Sequence, residues 1–129
     1  IMISVVLAAY KGEKYIAEQV CSILSQLGDN DELIVSDDYP QGETRSALNG
    51  IIENDSRVRY IHGRSQGLIK NFEHAINNAK GEYLCFVDSD DELSDGAIDV
   101  LVNNFGISNP GKDLDFSNTR RLSSGAIFS

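Results

Sequence analysis

Several short apolar runs in this chain end in groups that can do chemistry. Ile3–Ala9 is followed by Tyr10 and Lys11, Glu32–Ser36 by Asp37 and Asp38, and Tyr83–Val87 by Asp88, Ser89, Asp90 and Asp91. A further run, Val58–His62, leads into Gly63 and Arg64. If these tips share one edge, as many as five carboxylates approach a single crevice. At an effective dielectric of ~20, one like-charge pair at ~4 Å costs about 4 kcal/mol. Such a cluster persists when it is solvated, partly protonated or neutralised by a cation. A hard divalent ion fits best, because it takes oxygen ligands and needs only one or two carboxylates besides a substrate's phosphates. A bland reading stands beside this one. Aspartates favour turns at strand ends, and Ser94 or Asp95 would cap a following helix in any case. An isolated Asp-x-Asp is a weak signal; two acidic strand tips together favour a site.

The elements that must position these groups follow from periodicity. Ile3–Ala9 is a nearly continuous apolar stretch, as expected of a strand covered on both faces, and Glu32–Ser36, Val58–His62 and Tyr83–Val87 read as three further strands. Between them lie helical stripes. Ile16, Val20, Ile23, Leu24 and Leu27 form the first, stopped by Gly28, Asp29 and Asn30. Ala47, Leu48, Ile51 and Ile52 predict one helix amid Pro40, Gly42 and Gly50; Leu68, Phe72, Ala75, Ile76 and Ala79 form the clearest stripe. Ile98, Leu101, Val102 and Phe105 predict a last helix, and a fifth strand is expected near 114–117, with nothing assigned beyond it. Strand and helix alternating in this way predict an α/β fold with a mainly parallel sheet, helices on both faces and right-handed crossovers. Ligands of such sheets bind beyond the carboxyl ends of the strands.

Composition narrows the classes. The chain has 129 residues, 41% apolar and 24% charged, which suits one globular domain. It carries 20 acidic against 11 basic residues, a net charge of −9, which argues against a nucleic-acid partner. No apolar run approaches the ~20 residues of a membrane span, and no leader peptide is read, so a cytoplasmic protein is expected. Cys21 and Cys85 lack CxxC spacing and are expected as small buried hydrophobes in a reducing compartment. There is no Walker loop and no GxGxxG. A calcium loop starting at Asp88 fails at Leu93, and His62 and His74 follow no ligand pattern.

The ordered motifs carry a resemblance. Ile3–Tyr10, Glu13-Lys14-Tyr15-Ile16, Ser22–Gln26 and Leu33–Asp38 resemble the opening of family 2 glycosyltransferases. Gly67, Asn71-Phe72-Glu73, Gly81-Glu82-Tyr83 and Phe86–Asp91 follow in that family's order, so the resemblance covers roughly residues 2–105. It implies the Rossmann-like nucleotide-diphospho-sugar transferase (GT-A) fold, with the first strand between the second and fourth. It also implies an inverting transfer of sugar from a nucleotide-diphospho-sugar, UDP- or dTDP-linked, to a saccharide or lipid-linked acceptor. Surface polysaccharide synthesis, in the cytoplasm or at the inner face of the membrane, is the implied setting.

Position by position, the resemblance assigns Ala8, Ala9 and Tyr10 to the flank of the base, and Asp38 with Asp37 to a ring N–H of uracil or thymine. Asp88 and Ser89 fall near the ribose or sugar, Asp90 ligates Mn²⁺ or Mg²⁺, and Asp91 stands behind it. Glu13 belongs to the same pattern, although a first-turn glutamate also simply suits a helix. Lys70 or Arg64 approaches the phosphates, or is an ordinary surface charge. The chain departs from the family at Lys11, where Asn is usual, and at Tyr39-Pro40-Gln41-Gly42, where a Gly-Ser-x-Asp loop is expected. The family's acceptor site and carboxylate base lie beyond the Asp-x-Asp. Residues 1–105 are therefore expected to form the nucleotide-sugar-binding domain, and 106–129 a truncated start of the acceptor side. The competing reading is a non-catalytic nucleotide-sugar-binding module. A receiver domain or a dehalogenase-like phosphatase would need its acidic residues after the first strand.

Overall fold

Ile3–Ala9 forms β1, the strand on which the sheet is built. It pairs in parallel with β2, Glu32–Asp37, on one side and with β4, Tyr83–Asp88, on the other. β3, Val58–His62, pairs in parallel with β2. The first strand thus lies between the second and fourth, as expected. The structure is a computed structural model that describes residues 2–81, 83–88, 120–122 and 125–128. The predicted helix at Ile98–Phe105, the strand near 114–117 and the boundary at 105/106 lie outside the described residues.

With neighbours on both edges and helices on both faces, β1 is buried from Ser4 to Ala9. Its side chains alternate between two cores, as the pleat requires. Val6 and Ala8 join Ile34, Phe72, Ala75, Ile76 and Leu84 beneath α4, Leu68–Asn77. Val5, Leu7 and Ala9 join Ile16, Val20, Leu33, Val35 and Leu48 beneath α1, Ile16–Leu24. The nearly continuous apolar run of β1 therefore reflects burial on two sides.

Three details depart from expectation. Past Leu24 the first helix tightens: the amides of Gln26 and Leu27 bond three residues back to Ile23 and Leu24, so regular helix ends before Gly28. The helix expected around Ala47–Ile52 is two short ones, α2 Thr44–Ala47 and α3 Asn49–Asn54. The break falls at Leu48, whose side chain is fully buried and whose amide bonds Arg45 three residues back. Gly50, a weak helix former, adds nothing to bridge it. Cys21 is exposed rather than buried, because it lies about 100° round α1 from the Ile16–Val20–Leu24 stripe.

Beyond the parallel strands, β5 (Arg120–Leu122) and β6 (Gly125–Phe128) form an antiparallel pair, and β6 docks antiparallel on β4. The sheet order is β3-β2-β1-β4-β6-β5. At the amino-terminal edge, Glu32 ties the crossovers together. Its carboxylate accepts the Ser4 hydroxyl and the Lys80 amide, both at 2.7 Å, and the Arg59 guanidinium at 2.7 Å. Burial alone would raise this carboxyl's pKa; the Ser4, Lys80 and Arg59 donors together hold it below the ordinary value.

Candidate functional site

The parallel register sets Ala9 beside Asp37, Asp37 beside His62, and Ala8 beside Asp88. The strand tips singled out in the sequence therefore share one edge of the sheet. Against that edge lies a cleft of about 560 Å³. Ala8 and Ala9, at the end of β1, belong to its lining, although both are buried. Tyr10, Tyr39 and Gln41 come from the loops after β1 and β2; Ser65, Gly67, Leu68 and Asn71 come from the start of α4 and the loop before it.

Asp38 joins the two sides. Its Oδ1 accepts the Ser65 amide at 2.8 Å and its Oδ2 the Gly67 amide at 3.2 Å, while its own amide donates to the Ala9 carbonyl at 2.8 Å. A carboxylate offers about four acceptor positions, so two amides leave capacity for a ligand N–H. Asp37 is engaged differently. It is fully buried, accepting the Tyr39 amide at 3.0 Å and the Tyr60 hydroxyl at 2.5 Å. Burial, then the bond to Asp37 and its charge, push the Tyr60 phenol above the ordinary tyrosine range, and the nearby Arg45 cation offsets only part of this. Asp38 lines the cleft, whereas Asp37 braces the sheet beneath it.

Backbone conformation marks the same place. Among the described residues, positive φ occurs at Lys11 (52°), Ser65 (56°) and Gly67 (94°). Ser65 and Gly67 line the cleft and Lys11 adjoins Tyr10 in its wall. The left-handed region costs an ordinary L residue roughly 1–2 kcal/mol. Gly63 meets a different demand: a Cβ there would stand 2.5 Å from Asp38 Oδ1 and 2.6 Å from Asn71 Oδ1.

Asn71 is a site residue whose role sequence reasoning missed. It is 2% exposed; its Nδ2 donates to the Ser36 carbonyl at 2.9 Å, and its Oδ1 accepts the Ser36 hydroxyl at 2.5 Å. The signal was a polar residue on the apolar stripe, one turn from Leu68 and Ala75. Tyr39, Gln41 and Ser65 carried no such signal.

Other expected residues fall elsewhere. Lys70 is on the exposed side of α4, with its ammonium 3.2 Å from Glu73, and Arg64 is exposed in the preceding loop. Neither belongs to the cleft lining. Glu13 is half-buried in the turn ahead of α1, not in the helix's first turn, where Glu18 stands. Asp88 is placed by its backbone register alone; Ser89, Asp90 and Asp91 lie outside the described residues. Among the described residues no three His, Cys, Asp or Glu side chains gather to hold an ion.

A parallel sheet with this strand order and a cleft at its carboxyl edge is the architecture of the nucleotide-sugar transferases. The S. aureus TarS 1–349 structure in complex with UDP-GlcNAc has a TM-score of 0.61 and 28% identity, covering 70% of this chain and 27% of that one. Glucosyl-3-phosphoglycerate synthase from Mycobacterium tuberculosis, in complex with Mn²⁺, UDP and glucosyl-3-phosphoglycerate, has a TM-score of 0.55 and 28% identity, covering 68% of this chain and 33% of that one. Glycosyltransferase GlyG of Streptococcus pneumoniae is 36% identical over 101 residues, 78% of this chain and 34% of the relative. The chain thus spans about a third of that curated relative's length. The model of glycosyl transferase family 2 matches residues 4–112. The chain belongs to that family.

Proposed function

We propose that the chain forms the donor-binding part of an inverting glycosyltransferase that takes its sugar from a UDP- or dTDP-sugar. The observation that carries this reading is the Asp38-centred cleft at the carboxyl edge of the sheet, in a member of family 2. Two large apolar side chains exposed in the structure, Tyr10 and Leu68, both line it, which suits a planar base. In this reading the base lies within the cleft, flanked by the Ala8–Tyr10 segment and stacked on the exposed Tyr10 ring. Asp38 accepts from the ring N–H, and Asp37 acts through the loop it braces.

Asp88 and Ser89 serve the ribose or sugar, and Asp90 holds Mn²⁺ or Mg²⁺. When bound, the cation offsets charge on the departing nucleoside diphosphate. Lys70 acts as a distant cation, since its ammonium is paired with Glu73 outside the cleft lining. A carboxylate base from the acceptor side takes the proton of the acceptor hydroxyl as that oxygen attacks the anomeric carbon. The acceptor is a saccharide or a lipid-linked saccharide, worked on in the cytoplasm or at the inner face of the membrane. Among the described residues no helix is long and apolar enough to cross a membrane.

Calorimetry with UDP and dTDP, with and without Mn²⁺, tests the reading. Binding strengthened by Mn²⁺ and weakened in Asp90→Ala is expected. Absence of binding under both conditions, or binding indifferent to Asp90→Ala, would overturn the nucleotide or the metal assignment respectively.

A further inference from the structure

We infer that Lys11 is a positioning residue of this cleft, its ammonium holding the rings of Tyr10 and Tyr39 together as one stacking wall. The inference rests on the nucleotide role proposed above for the same site. Tyr10 follows β1 and Tyr39 follows β2, so the rings arrive on separate loops, and both line the cleft. They meet edge to face, with centroids 5.8 Å apart and planes at 82°. The Lys11 Nζ lies 5.3 Å from the Tyr10 centroid and 4.7 Å from that of Tyr39. A cation within about 6 Å of a ring centroid is drawn to the ring's negative face, so one ammonium attracts both rings. Tyr10 is 56% exposed. An exposed ring left free to change rotamer loses that freedom when a ligand stacks on it, which weakens binding. Lys11 removes part of that loss in advance.

The backbone separates Lys11 from an incidental surface lysine. Its φ of 52° lies in the left-handed region, where Asn or Gly is at ease and a long side chain is not. Fold stability alone would favour one of those residues here, and unfavourable backbone retained at a cleft points to a role in the cleft. The sheet order also says which part of a nucleotide is served. β1 lies between β2 and β4, so the Tyr39 loop at the β2 tip is on the side of β1 away from Asp88. The wall therefore serves the nucleoside, and its effect does not require phosphate.

The test compares the parent chain with Lys11→Asn, Lys11→Arg, Tyr39→Leu and the Lys11→Asn/Tyr39→Leu pair. Melting temperature is measured for each, and affinity for UDP and for uridine by NMR titration. Lys11→Asn is expected to melt higher than the parent yet bind UDP about tenfold more weakly, with the same factor for uridine. Lys11→Arg, which keeps a cation over the rings, is expected to stay within about threefold. On the Tyr39→Leu background, Lys11→Asn should cost much less than tenfold, as coupling through the ring requires. Lys11→Asn binding UDP as tightly as the parent would overturn the inference. So would a loss with UDP that is missing with uridine, which would make Lys11 a phosphate contact. A parent chain that binds neither UDP nor uridine would instead sink the nucleotide reading, and this inference with it.

Discussion

Asp37 and Asp38 are neighbours in sequence, yet their carboxylates hold partners on opposite faces of the sheet. Asp37 takes the hydroxyl of Tyr60, which packs against the core beneath α1. Asp38 takes the amides of Ser65 and Gly67, in the loop that opens α4. Alternation explains the division, since Asp37 ends β2 and Asp38, just past it, is still held beside β1 by its amide bond to the Ala9 carbonyl. One acidic tip thus supplies both a brace and a cleft residue.

The two aspartates should therefore separate in experiment. Asp38→Asn keeps the shape but removes the charge that holds two amides, so nucleotide affinity should fall at least tenfold with only a modest change in urea stability. Asp37→Asn should destabilise the fold by about 1–3 kcal/mol, the range for a hydrogen bond to a charged group, with a smaller effect on affinity. Equal losses of affinity in the two variants would contradict the division.

Gly63 allows the close approach of Asp38 and Asn71. A methyl group at Gly63 would meet oxygens of both residues at 2.5–2.6 Å, so Gly63→Ala must displace at least one of them. Overpacking of this kind costs about 1–3 kcal/mol. Amide exchange is the local readout: the Ser65 and Gly67 amides should lose protection in Gly63→Ala while those of β1 keep theirs. Unchanged protection at Ser65 would show that the Asp38 clamp survives the added methyl.

How much of this was legible follows from where each feature's cause lies. β1 could be read to the residue because a strand buried on both faces writes a nearly unbroken apolar run, as in Ile3–Ala9; β3, a half-buried edge strand, was legible instead from Val58, Tyr60 and Ile61, β-branched and aromatic residues in one short segment. The break at Leu48 could not be read, since it follows from a side chain buried against another element. The pair Arg120–Leu122 and Gly125–Phe128 was also missed, because each strand is only three or four residues long and the pair is fixed by the docking of Gly125–Phe128 on distant β4. In the site, the acidic tip was visible as composition. Which aspartate lines the cleft depended on strand register, and the contribution of Ser65 depended on a left-handed backbone that its residue type does not announce.

Glu32 should make the fold acid-sensitive. Its folded-state pKa lies below the ordinary value of 4.5, so the unfolded chain binds this proton more readily than the folded one. The stabilisation is complete above the unfolded value and is lost as pH falls through the folded one. Urea stability should decline from about pH 4.5 downward, with a shallower decline in Glu32→Gln. The same slope in both proteins would show that other carboxylates dominate acid unfolding.

Tyr60 sets the opposite limit. Burial and the Asp37 carboxylate push its phenol above the ordinary value of 10.0, so between the unfolded and folded values the unfolded chain ionises while the folded one keeps its proton. Stability linked to Tyr60 is complete below the unfolded value and is lost as pH rises towards the folded one. Ultraviolet titration of the folded chain should accordingly show a tyrosine step above the ordinary value, and Tyr60→Phe should abolish that step. The variant also leaves the buried Asp37 without its hydroxyl donor, a loss of about 1–3 kcal/mol at neutral pH. Because the variant has no phenol at this position to ionise, its disadvantage should shrink as the pH rises above about 10. A disadvantage that stays constant across that range would mean that the Asp37–Tyr60 bond does not govern the phenol's ionisation.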